Sequence, residues 1–340
     1  MKRIIIIILA CVALLAAGWM YKMMFKNNVS AGIDKTYLLI PANRGFDDVL
    51  SQIREKKLLR DETSFIWLAK FMKYDKDTVP GGRYLIKEGM SNRSIITKLR
   101  SGLQNPLNLT FNNVRTIPEL AGKLSKDIEA DSITLLTYFL SRENLNTCGL
   151  DSQTLLTLFI PNTYEVKWNI TPERLISRMK SECDRFWNSD SRKTKLEKLN
   201  MTKEEVYTLA SIVEKESNVK AERPAVAGVY LNRLKTGMKL QADPTVVFAT
   251  GDFELRRVLY SHLMLDSPYN TYKYEGLPPG PIYMPSVNSI DAVLNAENHE
   301  YVFFCAKPGY NSGHLFSETL QEHCRNADTY QEWLAKEGIK

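Results

Sequence analysis

An uninterrupted apolar run near the N-terminus constrains this chain more than any other feature. The run extends from Ile4 to Tyr21 and has basic residues at both ends. Its length matches the roughly 17–25 apolar residues that a membrane-spanning helix needs. A cleaved signal peptide is the alternative, but its apolar core normally ends after about 7–15 residues at a small-residue cleavage site. We therefore predict that residues 1–26 form a cytoplasmic tip and a retained transmembrane anchor.

The orientation of this anchor does not follow from charge alone. Lys2 and Arg3 precede the apolar run, and Lys22 and Lys26 follow it, so both ends are basic. A short N-terminal tail ahead of a large polar body favours a cytoplasmic N-terminus and a body outside the cytoplasm. Residues 27–36 are polar and contain Gly, Ser and Asn, so we predict a linker there.

The composition of the chain excludes several classes of protein. Hydrophobic residues make up 44% and charged residues 25%, as in ordinary globular proteins. The net charge of +6 is small and dispersed, which argues against a nucleic-acid partner. The 5 cysteines form no C-x-x-C pair, and the 4 histidines lack the spacing of metal ligands. We therefore expect neither a metal site nor a cofactor.

Short apolar patterns after the linker predict two α+β domains. A strand-like segment at 37–40, two helical segments, a strand-like segment at 83–86 and a further helical segment, in this order, predict a small domain over residues 37–105. A strand-like segment from Pro106, followed by helices and then by loops rich in Tyr, Asn and Pro, predicts a larger mixed domain over 106–340. Long irregular segments inside a compact domain are often functional.

One predicted helix carries the residues of greatest chemical interest. It spans residues 202–218, with the sequence TKEEVYTLASIVEKESN. Thr202 and Glu205 have the spacing of a capping box, which marks the start of a helix. From Val206 onwards, apolar residues follow the i, i+3, i+4, i+7 spacing of a core-facing stripe.

The two carboxylates at the end of this helix are expected to have different surroundings. At about 100° per residue, Glu216 projects near the apolar stripe, whereas Glu214 lies roughly a third of a turn away. We therefore expect Glu216 to be partly desolvated, which raises a carboxyl pKa, and Glu214 to be solvated. A carboxyl that stays protonated near neutral pH can act as a general acid. The alternative is a helix-end Glu that pairs with Lys215 or Lys220.

The sequence around this helix resembles one enzyme family. The motifs LASIVEKES, VYLNRL, LQADPTV, SPYNTY and GLPPGPI occur in this order between residues 209 and 282. Together they resemble the motifs of the MltG-type (YceG-like) endolytic murein transglycosylases. The resemblance extends more weakly to FIPNTYEV, to VPGGRYLIKEGMSNRSIITKLRSG and to the tail around His314, so it covers nearly the whole chain. The chain departs from the family pattern at residues 109–113, where many members carry a Glu-Gly pair.

The resemblance implies a single-pass protein of the bacterial inner membrane with a periplasmic body. It also implies that the small domain is LysM-like. The large domain would cut the MurNAc-β-1,4-GlcNAc bond inside nascent glycan strands of peptidoglycan. No water is added in this reaction, and the product ends in 1,6-anhydro-MurNAc. Peptidoglycan synthases are further candidate partners.

The resemblance assigns the catalytic role to Glu216, the second Glu of the V-E-K-E motif. The same carboxylate is the one that the helical spacing predicts to be desolvated. Candidate substrate-binding residues lie in or next to these motifs and carry hydroxyl, amide, carboxylate or aromatic groups that suit sugar rings. They are Ser217, Gln241, Asp243, Tyr269, Asn270, Thr271 and Tyr272.

Two other functions stay open at this point. A muramidase would cut the same bond with water and usually needs a second carboxylate. Asp243 and Asp266 are the candidates for that group, although each also suits a turn or a cap. A non-enzymatic scaffold that binds the cell wall and recruits synthases would need no catalysis. In that case, loss of Glu216 would leave glycan length unchanged.

Overall fold

The computed structural model describes residues 2–255, 257–309 and 313–338. Within them, the mixed α+β class predicted from the sequence is confirmed. The chain divides into two compact units. The first unit comprises Met1–Leu109, Ser125–Ala130 and Tyr164–Thr171, and the second comprises Thr110–Leu124, Asp131–Thr163 and Pro172–Lys340.

A long apolar helix, α1 (Lys2–Phe25), opens the first unit. Its apolar side chains between Ile4 and Leu15 are largely exposed, an arrangement that is unfavourable in water and favourable in lipid. By length and hydropathy, α1 is able to cross a membrane. Near its end, Trp19 packs edge-on against Trp67, with ring centroids 5.0 Å apart. These properties are consistent with the predicted single-pass anchor.

The rest of the first unit is built from a two-stranded antiparallel sheet and three helices. In chain order the elements are β1 (Lys35–Ile40), α2 (Phe46–Glu55), α3 (Glu62–Phe71), β2 (Gly82–Lys87) and α4 (Asn92–Ser101). The ladder pairs Lys35 with Lys87 and Ile40 with Gly82. The order of strand, two helices, strand and helix agrees with the order that the apolar patterns predict.

Part of the predicted linker, residues 27–36, is packed within the first unit. Val29 is fully buried. Asn28 donates its side-chain amide to Asn92 Oδ1 and to the backbone oxygen of Asp61, each at 2.7 Å. Because buried polar groups are normally held by such bonds, the start of this segment is fixed within the first unit.

Two short segments that follow residue 105 in the chain belong to the first unit. They are Ser125–Ala130 and Tyr164–Thr171. The sequence pattern instead predicts one boundary, between residues 105 and 106. The backbone N–H of Glu129 donates to Trp168 O at 2.9 Å, and the Glu129 carboxylate accepts the backbone N–H of Ala42 at 2.7 Å. Hydrogen bonds between residues so distant in the chain leave no local pattern in the sequence.

The second unit is mainly helical. Strand β3 (Leu107–Phe111), which begins in the first unit, pairs with β4 (Asn162–Val166), which ends in the first unit. Strand β5 (Phe303–Ala306) pairs antiparallel with β6 (His314–Ser317). The helices are α5 (Ile117–Leu124), α6 (Ser132–Phe139), α7 (Arg142–Cys148), α8 (Pro172–Trp187), α9 (Asp190–Leu199), α10 (Lys203–Glu216), α11 (Arg223–Thr236), α12 (Asp243–Thr250), α13 (Tyr260–Leu263), α14 (Val287–Leu294) and α15 (Leu320–Lys336). Short 3-10 turns lie at Leu155–Leu158 and Lys220–Glu222.

Helix α10 is the structural core of the second unit. It packs against α11, α12 and α14, and every residue from Val206 to Val213 is buried. The helix is therefore enclosed on all sides, whereas the apolar spacing predicts a single stripe. The predicted capping box is present: Thr202 Oγ1 accepts the N–H of Glu205 at 3.2 Å, and the Glu205 carboxylate accepts the N–H of Thr202 at 2.7 Å.

We expect Thr202→Ala to lower the free energy of unfolding by about 1 kcal/mol, because it removes the side-chain acceptor of an N-cap. Thr194→Ala, at an exposed position inside α9, is the matched control. Alanine favours a helix interior, so the control should be neutral or slightly stabilising. Denaturant unfolding in detergent compares the two variants, and equal stabilities would contradict a role for this cap.

Candidate active site

A cavity of about 550 Å³ lies in the second unit, where α10 ends and α12 begins. Two carboxylates line it, those of Glu216 and Asp243. Cationic and aromatic side chains form much of the remaining wall, namely Arg115, Lys215, Phe248, Phe253, Arg257 and Tyr283. A concave site that combines carboxylates with aromatic and cationic groups is the expected form of a small-molecule or saccharide site.

Glu216 is the last residue of α10, and its position follows from the turn that ends the helix. Ser217 takes an extended backbone conformation with φ −128° and ψ 125°, so the chain leaves the helix directly after Glu216. The Ser217 hydroxyl is buried and bonds to the backbone of Val219. This turn holds the Glu216 carboxyl at the cavity wall.

Helix α11 supplies the hydrogen-bond partner of Glu216. The Tyr230 hydroxyl donates to Glu216 Oε1 at 2.7 Å. The Tyr230 ring is buried and packs edge-on against Phe304 of β5, with centroids 5.9 Å apart. Arg233, three residues later, is also buried and donates to two backbone oxygens. Its side chain therefore keeps a fixed positive charge near the site.

The surroundings of Glu216 favour its neutral form. Burial is the largest effect and raises the pKa of the carboxyl. The Tyr230 hydrogen bond lowers this pKa, the Asp243 charge raises it, and the Arg233 charge lowers it. The result is a pKa of about 7 for Glu216. Such a carboxyl can donate a proton near neutral pH and take one back, in agreement with the desolvation that the helical spacing predicts.

The prediction that Glu214 is solvated is wrong. Its side chain is 18% exposed, and its Oε2 lies 3.0 Å from Arg223 Nη1. The hydroxyls of Ser286 and Ser289 also donate to Glu214. Burial would raise the pKa of Glu214, but these two hydrogen bonds and the Arg223 charge outweigh burial and lower it. Residues from α11 and the start of α14 cover the face of α10 that the spacing assigns to solvent.

Asp243, the first residue of α12, lines the cavity together with Glu216. Its Oδ1 accepts the Tyr272 hydroxyl at 2.6 Å. Gln241 lies two residues before Asp243 and has a left-handed backbone with φ 50°. Its backbone N–H donates to Thr271 O at 3.1 Å. The Gln241 side chain is exposed. Two of the predicted motifs, LQADPTV and SPYNTY, therefore meet at this part of the site.

The other predicted substrate-binding residues differ in their access to a ligand. Tyr269 is half-buried, and its ring centroid lies 4.7 Å from that of the cavity residue Phe248. Ser217, Asn270 and Thr271 are 1%, 0% and 2% exposed. The Asn270 amide donates to two backbone oxygens just before it in the chain. Because the side chains of these three residues are buried, we infer that they stabilise the loops. Their burial argues against the predicted direct contact with substrate.

Asp266, the other candidate for a second carboxylate, is not among the described residues that line this cavity. Its side chain is 72% exposed and pairs with Lys273 at 2.9 Å. It also accepts the Tyr274 hydroxyl at 2.6 Å. The hydrogen bonds from Tyr274 and Lys273 lower the pKa of Asp266. Of the two candidates, it is Asp243 that the fold brings to the cavity of Glu216.

Ile282, the last residue of the GLPPGPI segment, and Tyr283, which follows it, form another part of the cavity wall. The Ile282 N–H donates to Ser211 Oγ of α10 at 3.1 Å, which fixes the segment against the helix. Gly280 has no room for a side chain, because a Cβ would lie 2.2 Å from the backbone oxygen of Gln153. The segment therefore requires glycine at this position.

Several residues of this site are not predicted by the sequence pattern. Tyr230 and Arg233 lie three residues apart in the VYLNRL motif. This spacing could have predicted that both side chains lie on the same face of a helix. Arg115, Phe253 and Arg257 lie outside the five motifs, and only the folded chain brings them to the cavity.

We expect Glu214→Gln to lower the free energy of unfolding at neutral pH by about 2–4 kcal/mol, because it leaves the buried Arg223 without its charge partner. The folded-state pKa of Glu214 is lowered, so its contribution is present above the unfolded pKa and is lost as the pH falls through the folded pKa. The loss caused by the substitution should therefore shrink in acid. Thermal or denaturant unfolding at several pH values measures it.

Glu216→Gln is the matched substitution two residues away, and the opposite sign is expected. The pKa of Glu216 is raised to about 7, so ionisation destabilises the folded chain as the pH rises through that value. An uncharged Gln removes this penalty and should stabilise the fold by about 1–3 kcal/mol above neutral pH. The difference should vanish in acid, where Glu216 is protonated in both states. Equal effects of the two substitutions would contradict these assignments.

Known proteins resemble this chain over most of its length. The profile of the YceG-like family matches residues 38–329. An endolytic murein transglycosylase of Bacillus subtilis (strain 168) is 29% identical, with 86% of this chain and 83% of the relative covered. One of Streptococcus pneumoniae serotype 2 is 26% identical, with 96% of this chain but only 64% of the relative covered.

A solved structure gives the same assignment. The crystal structure of a putative YceG-like protein from Listeria monocytogenes is 27% identical in sequence and superimposes with a TM-score of 0.58. The match covers 86% of this chain and 98% of the Listeria chain. Because the family profile spans most of the residues, and because the Listeria fold agrees, this chain belongs to the YceG-like family.

Proposed function

We propose that this chain is an endolytic lytic transglycosylase of peptidoglycan. It would cleave MurNAc-β-1,4-GlcNAc bonds inside nascent glycan strands and so limit strand length. The observation that carries the proposal is the Glu216 carboxyl, which lines a cavity of about 550 Å³ and has a pKa of about 7. The curated relatives named endolytic murein transglycosylases support the substrate and the reaction.

In the proposed reaction Glu216 acts first as an acid. Its proton passes to the glycosidic oxygen while the bond from that oxygen to the muramoyl C1 breaks. The leaving GlcNAc residue departs with a free 4-hydroxyl, and positive charge develops at C1 and the ring oxygen. A carboxyl that is about half protonated near neutral pH is suited to this step.

Glu216 then acts as a base. It takes the proton from the muramoyl 6-hydroxyl, whose oxygen attacks C1 and closes the 1,6-anhydro ring. Glu216 is protonated again at the end, and no water is consumed. One carboxyl is therefore enough, and the Tyr230 hydroxyl positions it through Oε1 in both steps.

A muramidase is the second candidate function, and one observation favours it. Asp243 lines the same cavity as Glu216 and affects its pKa, so a second carboxylate is available to activate water or to stabilise positive charge. Against this role, the Tyr272 hydroxyl already occupies Asp243 Oδ1. The chemical form of the new glycan end distinguishes the two reactions.

The proposed sugar contacts come from residues whose side chains are at least partly accessible. They are Gln241, Asp243, Tyr269 and Tyr272. Phe248 and Tyr283 add aromatic faces at the cavity wall, which suit the apolar faces of sugar rings.

We further propose that the first unit is LysM-like and that the body is periplasmic. The order β1, α2, α3, β2 with antiparallel strands supports the LysM-like assignment by analogy of fold. With α1 in the bacterial inner membrane and its N-terminus in the cytoplasm, the chain after α1 lies in the compartment of the nascent glycan strands. Peptidoglycan synthases, which make those strands, are the proposed protein partners.

We expect Glu216→Gln to reduce cleavage of uncrosslinked nascent strands by at least about 10²–10⁴-fold, because it removes the general acid and base. Mass spectrometry of strands treated with the detergent-solubilised chain should show internal fragments that end in 1,6-anhydro-MurNAc. Glu197→Gln, at an exposed position on α9, is the control and should cleave normally. Reducing-end fragments would identify a muramidase. Unchanged glycan lengths in cells with Glu216→Gln would favour a non-enzymatic scaffold.

We expect Tyr230→Phe to shift the pH dependence of cleavage to higher pH. The Tyr230 hydrogen bond lowers the pKa of Glu216, so its removal raises that pKa above about 7. Because the acid must be protonated, activity is lost as the pH rises through its pKa, and this loss should move upward. Single-turnover rates against pH measure the shift. Tyr207→Phe, which removes a hydroxyl bonded to Phe159 O, is the control, and an equal shift there would overturn this role for Tyr230.

A further inference from the structure

Among the residues that the structure describes, the wall of the Glu216 cavity carries more positive than negative charge. Arg115, Lys215 and Arg257 line it, against the carboxylates of Glu216 and Asp243. Glu216 is about half neutral near pH 7, which increases the imbalance. An uncharged sugar ring has no need for three cations, so their presence calls for a ligand with negative charge.

Two of these cations are held in place by aromatic rings. The Arg115 guanidinium lies 4.7 Å from the ring centroid of Phe253, and the Lys215 ammonium lies 4.8 Å from that of Tyr283. A cation–π contact restrains a side chain without neutralising its charge. Both charges are therefore restrained before any ligand arrives, and both remain available to it.

Among the described residues, no carboxylate lies within 4 Å of the charged groups of Arg115, Lys215 or Arg257. The Glu119 carboxylate accepts the backbone N–H of Arg115 at 2.8 Å, and this bond does not involve the guanidinium. The charged groups that shift the pKa of Glu216 are Asp243 and Arg233. The three cavity cations are thus needed neither for an internal ion pair nor for the acidity of Glu216.

We propose that Arg115, Lys215 and Arg257 bind a carboxylate carried by the muramoyl residue of the substrate. This inference rests on the proposed function and adds the chemical feature by which the site selects its strand. The muramoyl lactyl ether ends in a carboxyl group, which is either free or extended by a peptide with carboxylates of its own. Both sources present the same chemistry to the cavity, and a guanidinium suits it because it can bind both carboxylate oxygens.

Asp243 opposes such a ligand, since among the described wall residues it and Glu216 are the two that carry carboxyl groups. The Tyr272 hydroxyl donates to one of the Asp243 oxygens and so satisfies part of its negative charge. The arrangement therefore favours a substrate that places a neutral sugar near Asp243 and its carboxylate near the three cations.

The test uses three forms of one glycan oligosaccharide of fixed length. The first keeps its peptides, the second is stripped to the free lactyl carboxylate, and the third has that carboxylate converted to a neutral methylamide. Binding is measured by calorimetry to the full chain with Glu216→Gln, in detergent, so that the ligand stays intact. Cleavage is measured separately with the unsubstituted chain.

We expect at least one anionic form to bind about tenfold more tightly than the neutral methylamide. In the Glu216→Gln background, the further changes Arg115→Gln and Arg257→Gln should together remove most of this preference and leave binding of the neutral form unchanged. Lys198→Gln, which removes an exposed positive charge from α9, should leave the preference intact. Raised ionic strength should weaken binding of the anionic forms selectively.

The outcomes separate this inference from the proposed function. Equal binding of all three forms, or an equal effect of the Arg substitutions on charged and neutral forms, would overturn the inference. Preference for the peptide-bearing form alone would identify the peptide as the source of the carboxylate, and preference for the stripped form would identify the lactyl group. Absence of cleavage by the unsubstituted chain, with the binding preference intact, would overturn the proposed function alone.

Discussion

Desolvation of one carboxyl, that of Glu216, is the interaction on which the site depends. Taking a carboxylate out of water disfavours its charged form and raises its pKa. The fold achieves this by enclosing α10 on every side as far as Val213 and by ending the helix directly before Ser217. The Tyr230 hydroxyl limits the effect, because its hydrogen bond favours the ionised form. The balance leaves a carboxyl that exchanges its proton near neutral pH.

The same helical turn holds a second carboxyl group, whose pKa is shifted in the opposite direction. Glu214 is also largely buried, but Arg223 and the hydroxyls of Ser286 and Ser289 surround it and keep it ionised. It joins α10 to α11 and α14, and so fixes the helix end that presents Glu216. The pKa values of two carboxyl groups two residues apart are thus shifted in opposite directions by their surroundings.

Local patterns were sufficient to predict the anchor, the order of elements in the first unit and the capping box of α10. They also predicted that the Glu216 carboxyl is desolvated, because helical spacing depends only on nearby residues. They failed for Glu214, whose partner Ser286 lies 72 residues away in the chain. They also gave no sign that Asn270 is buried, because its hydrogen-bond partners depend on how the loop folds. Periodicity carries no information about which distant segment covers a helix face.

The central claim is that the Glu216 carboxyl is protonated to a substantial degree at neutral pH. Carbon-13 NMR of the full chain with labelled glutamate side chains measures this directly, with Glu216→Gln used to assign the resonance. The account predicts a titration midpoint near the value of about 7 that the surroundings of Glu216 impose. A midpoint near the ordinary value for glutamate, about 4.3, would contradict it.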